Sequence, residues 1–210
     1  LISILNAIFG ISKPDWDKHK MDLAITGGGA VTDANKVNIT TINDVITEAN
    51  GDNKGTYGAA FMHSKIANRL ENLQVLEFWK YTDTNGIQRR MNIAEANGLI
   101  VVIDDGVPVK ASATPGKREY TPLLLGNGVV RTANGAFKGP SKVDREPAKN
   151  GGMKMLYTRQ RKTYHPNGFS FKAPATWTNS PTDAQLADTA NWDIIYDAKS
   201  IPAARLITNG

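Results

Sequence analysis

Leu99-Ile100-Val101-Val102-Ile103-Asp104-Asp105-Gly106-Val107-Pro108-Val109 is the stretch on which the reading of this chain turns. Five apolar residues in a row, most of them β-branched, read as a buried strand. The run ends in two carboxylates, a glycine and a proline. Two readings compete. A pair of acids at the carboxyl end of a strand can be a catalytic or metal site. Alternatively the strand is structural, Gly-Val-Pro is its turn, and the aspartates are its polar exit. Neighbouring strand residues point to opposite faces, so Asp104 and Asp105 do not naturally converge on one ligand. The geometry favours a strand end.

Composition narrows the choice. The 210 residues suffice for one large domain or two small ones. With 40% hydrophobic and 21% charged residues the chain can bury a core. No apolar run approaches the roughly 20 residues of a membrane helix. Leu1 to Ile11 lacks the basic region and small-residue cleavage site of a secretory signal. The absence of cysteine excludes disulfides, zinc-thiolate sites and thiol nucleophiles, and it suits a reducing compartment. A net charge of +5 can favour nucleic acid. Here the basic residues are spread along the chain, and the densest cluster, Arg159-Gln160-Arg161-Lys162, lies in a strand pattern. Sequence-specific nucleic-acid binding is therefore not expected.

Outward from the opening stretch, alternating signals suggest a mixed sheet covered by helices. Apolar residues at 1, 4, 5 and 8 have helical spacing, closed by Gly10, so the chain enters within a helix and a preceding segment is expected to be absent. Ser12 to Lys20 reads as a polar linker and Met21 to Ile25 as a short strand. Thr40-Thr41-Ile42-Asn43-Asp44 opens a capped helix running to Asn50. Ala59 to His63 is a buried strand, and Ser64 caps a helix with apolar Ile66, Ala67, Leu70 and Leu73. Thr84-Asn85-Gly86 marks a hairpin or loop tip within polar Tyr81 to Asn97. Val109 to Glu119 is a flexible excursion, and Tyr120 to Leu125 is an apolar strand closed by Gly126-Asn127-Gly128. Gly-, Lys- and Pro-rich Arg131 to Asn150 reads as a surface loop. Met153 to Tyr164 is predicted to be one long strand, turned by His165-Pro166-Asn167-Gly168 into a second, Phe169 to Lys172. Ser180 caps a helix with Pro181 at its first position, running to about Ala190. Trp192 to Tyr196 packs on the core, and Ile201 to Ile207 is a final strand.

No constellation supports catalysis. His19, His63 and His165 show no HxxxH spacing, and a zinc site would need all of them or added carboxylates. His63 and His165 read as structural. Gly27-Gly28-Gly29 and Gly55-Thr56-Tyr57-Gly58 match neither phosphate-loop pattern and read as turns. Ser64 lacks the flanking glycines of a nucleophile elbow. Tyr157, Tyr164, Phe169, Phe171 and Trp177 flank basic residues and could stack bases. A packing or subunit-contact surface is the commoner role for such a hairpin. No catalytic, cofactor-binding or metal residue is assigned.

The order of segments resembles the major capsid proteins of tailed bacteriophages of the Hong Kong 97 type. Phe61-Met62-His63-Ser64 heads a helix like the M-H-S step of one subfamily. Gly98-Leu99 to Pro108-Val109 is similar to its G-x-x-V-I-V-D-D-G-x-P-V strand, and Tyr120 to Gly128 to its Y-T-T-Y-L-F-G-x-G strand. Arg159 to Phe169 resembles its R-R-x-x-x-x-H-P-x-G hairpin. Pro181-Thr182-Asp183-Ala184-Gln185-Leu186, Asn191-Trp192 and Lys199-Ser200-Ile201-Pro202 resemble its closing helix and strand.

The resemblance implies an α+β fold, with an axial domain built on a central mixed sheet flanked by helices and a peripheral domain of spine helix and long β-hairpin. Residues 1–21 would be the end of the spine helix and a linker, and 22–150 the axial domain. Residues 151–179 would be the peripheral hairpin, and 180–210 a helix and strand returning to the axial domain. The family's N-terminal arm and extended loop have no counterpart here, and no Lys–Asn cross-link is predicted. The implied function is self-assembly, without enzyme activity or cofactor, into hexamers and pentamers of an icosahedral shell around double-stranded DNA. Implied partners are other copies of the chain, non-specific contact with the packaged DNA, and scaffolding, portal or decoration proteins, with no membrane. The implied location is the virion, and the host cytoplasm during assembly. A rigid core with adaptable loops at 82–97, 110–119 and 131–150 suits such a subunit, with Asp83 to Arg90 or Arg131 to Asn150 expected to touch neighbours. Two alternatives stay open: the shell protein of an encapsulin-like compartment, and an α/β enzyme using Asp104 or Asp105.

Overall fold

The structure is a computed structural model and describes residues 2–27, 29–84, 86–111, 117–136, 138–175 and 180–210. The chain divides into two compact units. One joins Leu1–Val129 to Gly168–Gly210, and the other is Val130–Asn167. The first carries helices α1 (Ile2–Gly10), α2 (Pro14–Asp17), α3 (Thr41–Asn50), α4 (Ser64–Asn72) and α5 (Asp183–Ala187). Its strands are β1 (Lys20–Asp22), β2 (Tyr57–Met62), β3 (Glu77–Thr82), β4 (Gln88–Ala96), β5 (Leu99–Ile103), β6 (Val109–Lys110), β7 (Glu119–Tyr120) and β8 (Leu123–Gly126). The second unit holds β9 (Val130–Gly135), β10 (Ser141–Glu146), β11 (Met153–Thr158) and β12 (Arg161–Pro166). The chain then returns through β13 (Phe169–Phe171), β14 (Trp192–Ile194) and β15 (Ala203–Ile207).

The fold is mixed α and β around a seven-stranded sheet of order β1-β15-β8-β2-β5-β4-β3. β1 with β15 and β2 with β5 run parallel; the other neighbours in the sheet are antiparallel. The core joins the apolar stripes of α3 (Ile42, Val45, Ile46, Ala49) and α4 (Ile66, Ala67, Leu70) to inward residues of the strands, among them Met62, Val101, Leu124 and Leu206. The 99–103 strand is present, but its burial alternates. Leu99 and Val101 are buried, whereas Ile100 is 42% exposed. Only one face of the strand meets the core, which an unbroken apolar run conceals.

Several expectations need correction. The predicted linker 12–20 contains α2 and a second small core. Trp16 is fully buried, stacks on Phe9 and His19 with ring centroids 5.5 and 4.5 Å away, and takes the edge of Phe169 at 5.1 Å. Gly10 ends α1 without a left-handed backbone. A Cβ there would lie 2.4 Å from Thr189 Oγ1, so close approach rather than a turn calls for glycine. The polar 88–96 segment is a strand, hairpinned to β3 through a tight turn in which Gly86 (φ 78°) donates to the Asp83 carbonyl at 2.8 Å. Asn85 lies outside the described residues.

The expected hairpin of Met153–Tyr164 with 169–172 is replaced by a different pairing. Residues 153–164 form two strands, β11 and most of β12, whose partners are β10 and β9. Phe169–Phe171 pairs instead with β14. The supposed loop 131–150 is the other half of this ribbon. The two ladders, β9 with β12 and β10 with β11, are separated by five positions in sequence on one side (136–140) and two on the other (159–160), so their registers differ. Strands wetted on both faces carry no apolar alternation, and their Gly, Lys and Pro content imitates a loop.

His19 gives a pH prediction. Its Nδ1 lies 2.8 Å from the Ala203 carbonyl, which requires Nδ1 to donate, and Nε2 is buried with no hydrogen-bond partner among the described residues. Burial holds its pKa below 6.5. The unfolded chain then binds more protons in mild acid, so this contribution to stability is present above pH 6.5 and is lost as pH falls through the folded value. Urea unfolding midpoints should drop from neutral to mildly acidic pH, and H19F should flatten that slope.

Candidate functional site

The two aspartates do not form a joint site. Asp104 turns the chain: its Oδ1 accepts from Gly106 N at 2.8 Å and its carbonyl from Val107 N at 3.2 Å. Asp105 reaches sideways to α4, where its Oδ1 accepts from Ser64 N at 2.9 Å. Hydrogen bonds from the Ser64 hydroxyl and backbone hold the Asp105 carboxyl below its ordinary pKa. The polar-exit reading holds for Asp104, while Asp105 serves a helix start. The cap residue of α4 is His63 rather than the expected Ser64, because His63 Nδ1 accepts from Lys65 N at 3.0 Å.

Ser64, His63 and Asp105 look like a nucleophilic relay by composition alone. Ser64 Oγ and Asp105 Oδ1 approach the same imidazole atom, Nδ1, at 3.3 and 3.4 Å. A relay needs the nucleophile on one ring nitrogen and the acid on the other. With Lys65 N on Nδ1 as well, the cluster is an N-terminal cap, and the His63 ring rests edge-on against Tyr120. D105A should leave the core intact, lower the thermal midpoint slightly and speed amide exchange at residues 64–67; unchanged exchange would show that the cap is idle.

The other sequence candidates do not converge. Among the described residues no group of three or more His, Asp or Glu could hold a metal ion. His19 is buried in the Trp16 cluster, and His165 lies on β12 opposite Arg131. Gly27 and Gly29 lie in a bend, Gly55 in a 3-10 turn and Gly58 on β2, so none opens an α-helix at a phosphate cradle; Gly28 lies outside the described residues. Phe169 is buried and Phe171 packs on Trp192 at 5.1 Å, which removes both from any base-stacking surface. Tyr157 and Tyr164 are exposed, and Trp177 lies outside the described residues. The closing helix is capped two residues later than expected, by Thr182 in a box with Gln185.

What the structure does gather is exposed apolar surface on two hairpins. β3–β4 presents Trp79, Tyr81 and Ile87 to solvent, beside Arg90, which forks onto Glu71 at 2.6 and 3.1 Å. The 130–167 ribbon presents Val143, Leu156, Tyr157 and Tyr164. Two-stranded ribbons of this kind are marginal alone, and exposed apolar groups mark contact surfaces. Charge is segregated as well. Val130–Asn167 holds nine Lys and Arg against two acids, leaving sixteen basic and eighteen acidic residues on the sheet-bearing unit. The basic residues are therefore not evenly spread, as the sequence reading has it, but concentrate on the ribbon segment.

A large mixed sheet with few helices is compatible with a phage capsid fold. No protein-family model matches the chain. It is similar to the major capsid protein of Bacillus phage SPP1, at 30% identity over 153 residues, which is 72% of this chain and 44% of that protein. The match thus spans less than half the length of that relative. This similarity supports a phage capsid protein. Among the described residues no helix is long and apolar enough to cross a membrane.

Proposed function

We propose that this chain is the assembling part of a major capsid protein with the Hong Kong 97 type of fold, forming hexamers and pentamers of an icosahedral shell around double-stranded DNA. The similarity to the SPP1 major capsid protein carries the reading. Exposed apolar residues on both hairpins support it, because a shell subunit needs contact surfaces that a monomer leaves bare. In this reading the seven-stranded sheet with α3 and α4 is the axial domain, and the ribbon 130–167 is a peripheral element reaching toward neighbours. The subunit performs no chemistry: many modest interfaces act together in a closed array. Assembly runs in the host cytoplasm, and scaffolding, portal or decoration proteins join as further partners. The basic surplus adds unspecific attraction to DNA phosphates.

Negative-stain imaging of the protein is expected to show uniform closed shells. Replacing residues 131–165 by a short Gly linker should abolish particles and leave the sheet-bearing unit folded, as read by urea unfolding. A loss of monomer stability in step with particle yield would make the ribbon part of the core and sink its contact role. Wild-type protein that remains monomeric at every concentration would sink the shell reading.

A further inference from the structure

The outer half of the ribbon has two unlike faces. Residues directly opposite in an antiparallel pair share a face. One face therefore carries Lys142 with Tyr157, Asp144 with Met155 and Glu146 with Met153, and the other carries Ser141 with Thr158, Val143 with Leu156 and Arg145 with Lys154. The ribbon's only carboxylates, Asp144 and Glu146, lie on the first face, where they pair with Lys142 at 3.6 Å and Lys149 at 3.1 Å. The second face has none. On it Val143 and Leu156 stand opposite each other, 64% and 67% exposed. The next pair along is a cation against a cation, and among the described residues neither Arg145 nor Lys154 has a carboxylate within ion-pair reach.

Both arrangements are unfavourable in a lone subunit. Like charges directly opposite across a ladder repel, and a bare aliphatic pair leaves apolar surface in water. A partner that covers the aliphatics and brings carboxylates relieves both. We propose that the Val143/Leu156 and Arg145/Lys154 face docks onto a carboxylate-bearing surface of the sheet-bearing unit of a second copy of this chain. The proposal rests on the subunit reading above and names which face makes the contact. Charge selects the occupant. The ribbon is strongly basic and the sheet-bearing unit slightly acidic, so ribbon-to-body contact between copies is attractive and ribbon-to-ribbon contact is repulsive. A nucleic-acid duplex would satisfy the cations. It offers no aliphatic surface to Val143 and Leu156 along its phosphates, and Tyr157, the ring that could stack, lies on the opposite face. A ribbon-to-body contact is heterologous and generates rings when its rotation closes.

The test compares wild type with R145E/K154E, V143S/L156S and the opposite-face control K142Q/K149Q, using sedimentation velocity at low and high NaCl. Circular dichroism checks folding, and retention of a short random-sequence duplex checks nucleic-acid binding. R145E/K154E and V143S/L156S should each weaken self-association by about tenfold or more. High salt should weaken wild type and leave R145E/K154E nearly unchanged, and K142Q/K149Q should associate like wild type. If the double charge reversal disturbs the ribbon's own fold, R145Q/K154Q gives the same readout with a smaller change. Variants that assemble like wild type overturn this docking face and leave the shell reading standing. Variants that lose duplex binding but associate normally assign the face to nucleic acid and overturn the proposal. Wild type that never associates overturns the shell reading itself, and a salt-sensitive monomer places the ribbon on its own chain.

Discussion

Trp16→Ala is expected to cost about 3–5 kcal/mol of folding stability. The indole is fully buried, sandwiched between Phe9 and His19, met edge-on by Phe169, and its Nε1 donates to the Ile8 carbonyl at 2.8 Å. Truncation opens a cavity that three rings cannot collapse to fill, and it takes from the Ile8 carbonyl the shorter of its two hydrogen bonds, leaving Ile11 N at 3.3 Å. For a chain of this size each kcal/mol shifts the thermal midpoint by roughly 2–4 °C, so a fall of roughly 6–20 °C is expected. Trp16→Phe keeps most of the stack and loses only the hydrogen bond and part of the ring, so it should sit between wild type and alanine. Thermal and urea unfolding of the three proteins measure this. A Trp16→Ala loss below about 1 kcal/mol would mean that the α1–α2 segment does not hold onto the body of the fold.

Asn50→Ala is expected to cost about 2–5 kcal/mol, through polarity rather than volume. Asn50 is buried at the end of α3, where its Nδ2 donates to the Lys199 carbonyl at 2.8 Å and its Oδ1 accepts from the Tyr57 hydroxyl at 2.5 Å. One side chain thus ties a helix end, the start of β2 and the 198–200 turn. Burial pushes the Tyr57 phenol well up, so it stays a donor at every workable pH. Alanine leaves that hydroxyl buried without its acceptor and removes the donor to the part-buried Lys199 carbonyl. Tyr57→Phe removes only the donor and should cost about 1–2 kcal/mol. A double-mutant cycle should show strong coupling between the two sites, and simple additivity would refute the network.

The elements that were legible in sequence are those with a wet side and a dry side. α3 and α4 showed their apolar stripes, and 57–62, 99–103 and 123–126 their apolar runs, because burial left a period or a block to read. The first half of β4 and the ribbon strands lacked one. Arg89, Arg90, Lys142 and Arg145 stand on strands that face solvent, and nothing local separates such a strand from a loop. The core role of Trp16 was hidden by its flanks, Asp15, Asp17 and Lys18, which read as linker chemistry. The start of α4 is legible to within one residue but its cap is not, since an imidazole nitrogen can accept where a hydroxyl is expected, and Asp105 arrives from 41 residues away. Asp104 and Asp105 have different hydrogen-bond partners, Gly106 and Ser64, as the alternation of strand side chains leads one to expect. Only the strand pairing shows that Arg145 stands opposite Lys154, which no local pattern in the sequence reveals.

The place of β15 in the sheet has a consequence in time. It lies between β1 and β8, pairing Lys20 with Arg205 on one side and Leu124 with Ala204 on the other. On the ribosome the chain grows at roughly 5–20 residues per second, so β1 waits on the order of ten to forty seconds for its neighbour. Until then β8 has a bare edge of leucines, and β1 has no sheet to join. The seven-stranded sheet is therefore completed only after nearly all the described chain has been made. Until β15 is made, the sheet stands split between β1 and β8, a delay written into strand order.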